Sequence, residues 1–175
     1  MFDEWSKYRV LQVFFHQPTT KHQLREISRK TDLGPPSVKK YLEELMKEGF
    51  VEKVEEGVYP GYQATMNEKF KSYKRTDTVR KIKDSGLLDY LENKLHPSAV
   101  VLYGSAAYGE DTEESDLDIL TIAGKKKLNL ERYEKDFKRN INIKFMEEED
   151  ITSNREFTNS LANGIVLKGF LKVKN

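Results

Sequence analysis

The 175-residue sequence contains no cysteine. That excludes disulfides, thiolate zinc sites, iron–sulfur clusters and a cysteine nucleophile. Histidine is scarce: His16, His22 and His96 have no ligand-like spacing and are expected at the surface. No apolar run approaches the roughly 20 residues that span a bilayer. The opening MFDEWSKYRV lacks a basic stretch followed by an apolar one, so no secretory leader is read there. A soluble cytoplasmic protein without membrane contact is the expectation. An excess of either charge is missing too, with 30 Lys+Arg against 29 Asp+Glu. Residues 1–70 carry 11 basic and 11 acidic side chains, residues 71–98 carry 7 and 4, and residues 99–175 carry 12 and 14. No segment has the basic surplus of a dedicated nucleic-acid-binding domain. Internal repeats and low-complexity stretches are absent.

What is present begins with helical periodicity. Trp5, Tyr8, Leu11 and Phe15, with Val10 and Phe14 beside them, predict a helix over 3–16 with one apolar face, stopped at Gln17-Pro18. Thr20 and Gln23 fit a capping box for a short helix near 21–30 that buries Leu24 and Ile27. Asp32 to Pro36 reads as a turn, and proline at the first helical position suits a helix over 36–48. That helix carries Val38, Tyr41, Leu42 and Leu45 on one face, with Gly49 in the C′ position. Phe50–Val54, a turn at Glu55-Glu56-Gly57, and Val58-Tyr59 read as a two-stranded hairpin.

Three helices followed by a hairpin resemble the winged helix-turn-helix domains of bacterial and archaeal transcription regulators. The resemblance implies that helix 36–48 enters the major groove with Ser37, Lys39 and Lys40 nearest the bases. Arg25, Arg29 and Lys30 would then meet phosphates. Glu43, Glu44, Glu52, Glu55 and Glu56 oppose phosphate contact. A protein partner therefore stays open as the alternative to DNA.

Residues 60–75 lack clear periodicity and read as a linker. Val79, Ile82, Leu87, Leu88, Leu91 and Leu95 put residues 76–95 in helical phase, with Gly86 as a kink or break. The domain boundary is placed between residues 72 and 73, and helix 76–95 is given to the second domain.

The second domain holds the residues that carry chemistry. Ala99–Tyr103 is a short apolar run typical of a buried strand, followed at once by Gly104-Ser105. Ser115–Ile122 reads as a second strand. Asp116 and Asp118 are two apart and face one side, while Leu117 and Ile119 face the other. Two carboxylates on one face of a buried strand repel unless a cation lies between them. Hard oxygen ligands favour Mg²⁺ or Mn²⁺. Strand, Gly-Ser, loop and strand with paired Asp thus set a phosphate cradle opposite a metal platform.

The pattern Gly104-Ser105, ten residues, Asp116-Leu117-Asp118 resembles the DNA polymerase β-like nucleotidyltransferase superfamily. Minimal members of it, including antitoxins of HEPN-type toxin pairs, show that spacing. The resemblance implies that Gly104 and Ser105 hold the β- and γ-phosphates of ATP or another nucleoside triphosphate. It implies further that Asp116 and Asp118 hold two metal ions and that an acceptor hydroxyl attacks the α-phosphate. The superfamily also expects a third carboxylate on a later strand. A helix over 128–139 precedes the alternating strand Asn140–Met146, and the position aligned with that acid is Asn142. Asparagine is neutral and takes no proton at neutral pH. Lys144 would share its face. Glu147–Asp150 reads as the acidic first turn of a further helix, Lys125–Lys127 as a solvated loop, and Gly164–Leu171 as a packed apolar ending.

The expected fold is α+β: a winged helix of three helices and a β-hairpin, then a small mixed sheet flanked by helices. Three outcomes stay open: an enzyme working with two acids, a nucleotide-binding regulator or antitoxin without turnover, and a scaffold. The partners expected are a nucleoside triphosphate, DNA through the winged helix, and a protein acceptor such as a HEPN-type toxin. A homodimer is an open alternative.

Overall fold

The computed structural model describes residues 2–56, 59–147 and 163–170, with side chains from Trp5 onward. The chain divides into two compact units, Met1–Lys74 and Arg75–Asn175. Among the described residues no helix is long and apolar enough to cross a membrane.

The first unit contains α1 (Phe2–His16), α2 (Leu24–Thr31), α3 (Pro35–Lys47), β1 (Val51–Val54) and β2 (Gly61–Ala64). The three helices bury one stripe each. Val10, Phe14, Ile27, Val38, Leu42 and Leu45 meet in a single core, closed by Phe50, Val51 and Phe70. Trp5 departs from the expected apolar face: it is 58% exposed, with its ring 5.8 Å from that of Tyr8. Pro35 starts α3 one residue before the expected position, where a missing N–H costs nothing.

Four expectations for this region are corrected. The second hairpin strand is β2, not Val58-Tyr59: Val51 pairs with Ala64 and Val54 with Gly61. Gly57 and Val58 lie outside the described residues. Residues 60–75 are not a linker, because β2 occupies 61–64 and α4 (Glu68–Asp84) follows. α2 starts at Leu24, and its reciprocal cap comes from Glu26, whose carboxylate accepts the Gln23 N–H at 3.3 Å, not from Thr20. His22 is not at the surface but wholly buried, edge-on to Phe14.

His22 also extends the wing. Its backbone exchanges two 2.8 Å hydrogen bonds with Tyr62, which adds a one-residue third strand to the hairpin. A side chain at Gly61 would lie 2.6 Å from the Lys21 side chain and 3.0 Å from the His22 carbonyl oxygen, so glycine permits that approach. The His22 ring directs Nδ1 to Glu26 at 3.0 Å and Nε2 to the Gln17 carbonyl at 3.2 Å. Burial raises the Glu26 carboxyl, but hydrogen bonds from Lys30 and His22 outweigh it and bring it down to about 2. A carboxyl lowered by folding stabilises the native state above its ordinary value, and the contribution is lost as pH falls through the lowered one. Glu26→Gln is therefore expected to be less stable at neutral pH and to lose less stability than the native chain between pH 4.5 and 2. Urea denaturation across that range checks this, and parallel profiles would contradict it.

The second unit begins within α4 and continues with α5 (Leu87–Leu95), β3 (Ala99–Leu102), α6 (Ser105–Tyr108), β4 (Leu117–Ile122), α7 (Glu131–Phe137), β5 (Ile141–Met146) and β6 (Ile165–Gly169). Gly86, at φ 79°, separates α4 from α5. The strands form one mixed sheet in the order β5-β4-β3-β6, with β4 and β5 parallel and the other pairs antiparallel. On one face Val100, Leu102, Leu117 and Ile119 pack with Ile82, Leu87 and Leu91. On the other, Ala99, Val101, Leu120, Ile122 and Met146 form a smaller cluster with Tyr103. α7 is shorter than the helix expected over 128–139, since Leu128, Asn129 and Leu130 precede it. Glu148–Asp150 and Leu171 lie outside the described residues.

Candidate nucleotide site

The site sits where β3 ends beside β4. The strands run antiparallel with Leu102 opposite Ile119, and the Tyr103 N–H donates to the Asp118 carbonyl at 3.1 Å. The chain then turns at Gly104, with φ 70° and ψ −163°, a backbone state essentially reserved for glycine. A side-chain carbon there would lie 2.6 Å from Oδ2 of Asp118. The corner and the carboxylate are therefore in direct apposition. Ser105 follows as the first residue of α6, and buried Ala106 and Ala107 anchor that turn to the main core. Gly109, at φ 73°, ends it.

The alternation expected for β4 is present. Leu117 and Ile119 are fully buried on the helix-covered face. Asp118 is half-buried, and Asp116, just before the strand, is exposed. Burial, and then the charge of Asp118, push the Tyr103 phenol above its usual value. Asp118 lies opposite Asn142 in the parallel β4–β5 register, and Asn142 Nδ2 donates to Asp118 Oδ1 at 3.2 Å. One turn of the pleat earlier, Asn140 Nδ2 donates to Asp116 Oδ1 at 3.1 Å, and the Asn140 carbonyl accepts the Leu117 N–H at 2.9 Å.

Sequence reasoning singled out Gly104, Ser105, Asp116, Asp118 and Asn142, and the structure brings Gly104, Asp118 and Asn142 together with Asp116 two residues along. It missed Asn140, whose signal was available: Asn140-x-Asn142 repeats the spacing of Asp116-x-Asp118. It also missed Asp111. That carboxylate is 1% exposed and pairs with Arg139 at 2.7 Å, tying the 109–116 loop to the start of β5. A pair separated by 28 positions leaves no local pattern. Lys144, opposite Leu120, falls on the exposed side of β5 with Asn142. Lys125, Lys126 and Lys127 are exposed, and Lys126 donates to the Lys94 carbonyl at 3.0 Å.

Two carboxylates on one face beside a glycine corner are hard oxygen donors of the kind Mg²⁺ and Mn²⁺ take. They fit one such cation chelated together with phosphates. Among the described residues no group of three or more His, Asp or Glu converges as a larger metal site. The aligned third position is an amide.

In the first unit, Ser37, Lys39 and Lys40 are exposed near the start of α3, and Arg25, Arg29 and Lys30 are exposed on α2. Lys40 lies 5.5 Å from the Tyr41 ring, and Lys30 is paired with Glu26 at 2.6 Å.

Two family models match the chain. One describes an IclR helix-turn-helix domain and covers residues 8–55; the other describes a polymerase β nucleotidyltransferase and covers residues 86–171. No curated protein and no solved structure matches it.

Proposed function

Because the chain joins an IclR-type helix-turn-helix domain to a polymerase β-type nucleotidyltransferase domain, we propose that it transfers a nucleoside monophosphate from a nucleoside triphosphate, ATP first among them, to a hydroxyl of a protein or small molecule. The observation that carries this reading is the apposition of Asp118 to the Gly104 corner, with a glycine where any side chain would strike the carboxylate. Gly104 and Ser105 take the terminal phosphates, and the bare backbone at Gly104 lets them approach. Asp116 and Asp118 are the residues that would hold a divalent cation, which supplies charge neutralisation for the departing pyrophosphate. The acceptor oxygen forms a bond to the α-phosphorus, the bond from that phosphorus to the β-phosphate bridge breaks, and pyrophosphate leaves. Asn142 takes no proton, so the acceptor hydroxyl gives its proton to solvent water at this exposed edge of the sheet. Incubation with labelled ATP, Mg²⁺ and candidate acceptors tests the proposal. Label transfer that depends on Asp116 supports it, and transfer equal to that of Asp116→Ala contradicts it.

A second reading is favoured by one observation, the Asn142–Asp118 hydrogen bond in place of a carboxylate pair. In it the domain binds nucleotide without turnover, and the winged helix acts as a DNA-binding regulator or antitoxin. Metal-dependent ATP binding with no transfer to any acceptor, a HEPN-type toxin included, distinguishes it. In both readings the winged helix meets DNA through Ser37, Lys39 and Lys40 on α3 and through Arg25 and Arg29 on α2. Lys39→Ala and Lys40→Ala are each expected to weaken binding to DNA from the upstream region and to reduce the slope of log affinity against log salt by about one. Anisotropy titrations at several salt concentrations measure that slope, and an unchanged slope in both variants rules out this face.

A further inference from the structure

The start of β5 presents carboxamides to both members of the acidic pair. A carboxylate only accepts hydrogen bonds, so each asparagine must turn Nδ2, not Oδ1, toward it. Asn140 thereby engages Oδ1 of Asp116, and Asn142 engages Oδ1 of Asp118. The Asp118 oxygen left over, Oδ2, is the one against Gly104. The pair is thus asymmetric. The remaining oxygen of Asp118 faces the glycine–serine corner, where phosphates would lie. The pair's β5 side is lined by the positive ends of two amides, with Lys144 two residues further along the same strand.

We propose that this site holds a single divalent cation, shared by Asp116, Asp118 and the bound triphosphate, and that Asn140 and Asn142 are positioning residues that fix the two carboxylates for it. The inference rests on the nucleotide-binding reading above and goes beyond it in number and cause. A second cation on the β5 side would face N–H donors where it needs oxygen ligands. Two carboxylates balance one divalent charge, and neither amide adds to that balance. Each amide holds its carboxylate without competing for the remaining oxygen. Such partners of metal ligands typically contribute ten- to hundredfold in metal affinity.

The test counts Mn²⁺ by electron paramagnetic resonance on the full chain, with a non-hydrolysable ATP analogue kept below the protein concentration. One Mn²⁺ per bound analogue is expected, with no spin coupling between ions. Asn142→Asp is expected to take two, with the dipolar broadening of a pair about 4 Å apart. Asn140→Ala is expected to keep one, with affinity lower by roughly tenfold or more. Asn142 is exposed, and an unchanged thermal transition shows that its variant is folded. Two ions in the native protein would overturn the inference and leave the nucleotide reading standing. No bound ion would overturn both. An Asn142→Asp protein that still takes one ion would overturn the assignment of Asn142 as the determinant.

Discussion

Asp118→Asn is expected to lower nucleotidyl transfer by at least about a hundredfold while leaving the fold intact. Loss of a hydrogen-bond partner behind a metal ligand costs ten- to hundredfold, and this exchange removes the charge of the ligand itself. The substitution is nearly isosteric, and Asp118 is half-buried on the face away from the main core, so packing is preserved. Asp116→Asn acts on the same cation and is expected to show a loss of the same order. Groups that act as a unit are not additive, so the double variant should be no worse than either single one by more than a few-fold. Transfer of label from ATP, with a thermal melt of each variant, reads both outcomes. Native-level transfer in Asp118→Asn would remove the acidic pair from the reaction.

Gly104→Ala is expected to damage both the stability of the second unit and its nucleotide site. The backbone state at this position costs a non-glycine residue about 1–3 kcal/mol. The added carbon would also lie 2.6 Å from Asp118 Oδ2 and 3.4 Å from Asp118 Cβ and Cγ. Relief requires Asp118 to swing away or the corner to open, and either movement separates the metal ligand from the phosphate cradle. Loss of nucleotide binding should therefore accompany a stability loss of about 2 kcal/mol or more. Gly124→Ala is the control, because nothing lies within 4 Å of a side chain there. Denaturant unfolding and nucleotide titration of the two variants make the comparison. Equal behaviour would contradict the close approach.

The site was more legible in the sequence than the hairpin was, for a physical reason. β4 is apolar and buried on both faces except at Asp118, with Asp116 just before it, so its pattern declares a strand and picks out the two acids at once. Gly104-Ser105 follows an apolar strand immediately, and the turn has no other way to be made. β2 lacks such a signature. Its Gly61-Tyr62-Gln63-Ala64 is weak in strand formers, and its place is set by pairing with β1 and by His22, some 40 positions away. Val58-Tyr59 has the better local propensity, which is why the expectation settled there. α4 was hidden by its charge: Lys69, Lys71, Lys74 and Arg75 surround the buried Phe70, so the first half of the helix shows no apolar stripe. His22 was misplaced because its burial depends on Phe14, Gln17 and Glu26 meeting around it, and no periodicity encodes that. Asn142 was found by alignment with the expected third acid. Its pairing with Asp118 became visible only through the β4–β5 register.

Calorimetric titration of the full chain with ATP, in the presence and absence of Mg²⁺, tests the central claim most directly. Binding of one ATP per chain is predicted with Mg²⁺, weakened severely without it and in Asp118→Asn. Binding that ignores both the cation and the substitution, or no binding at all, would contradict the claim that Asp116, Asp118 and the Gly104–Ser105 corner together take a metal-bound nucleotide.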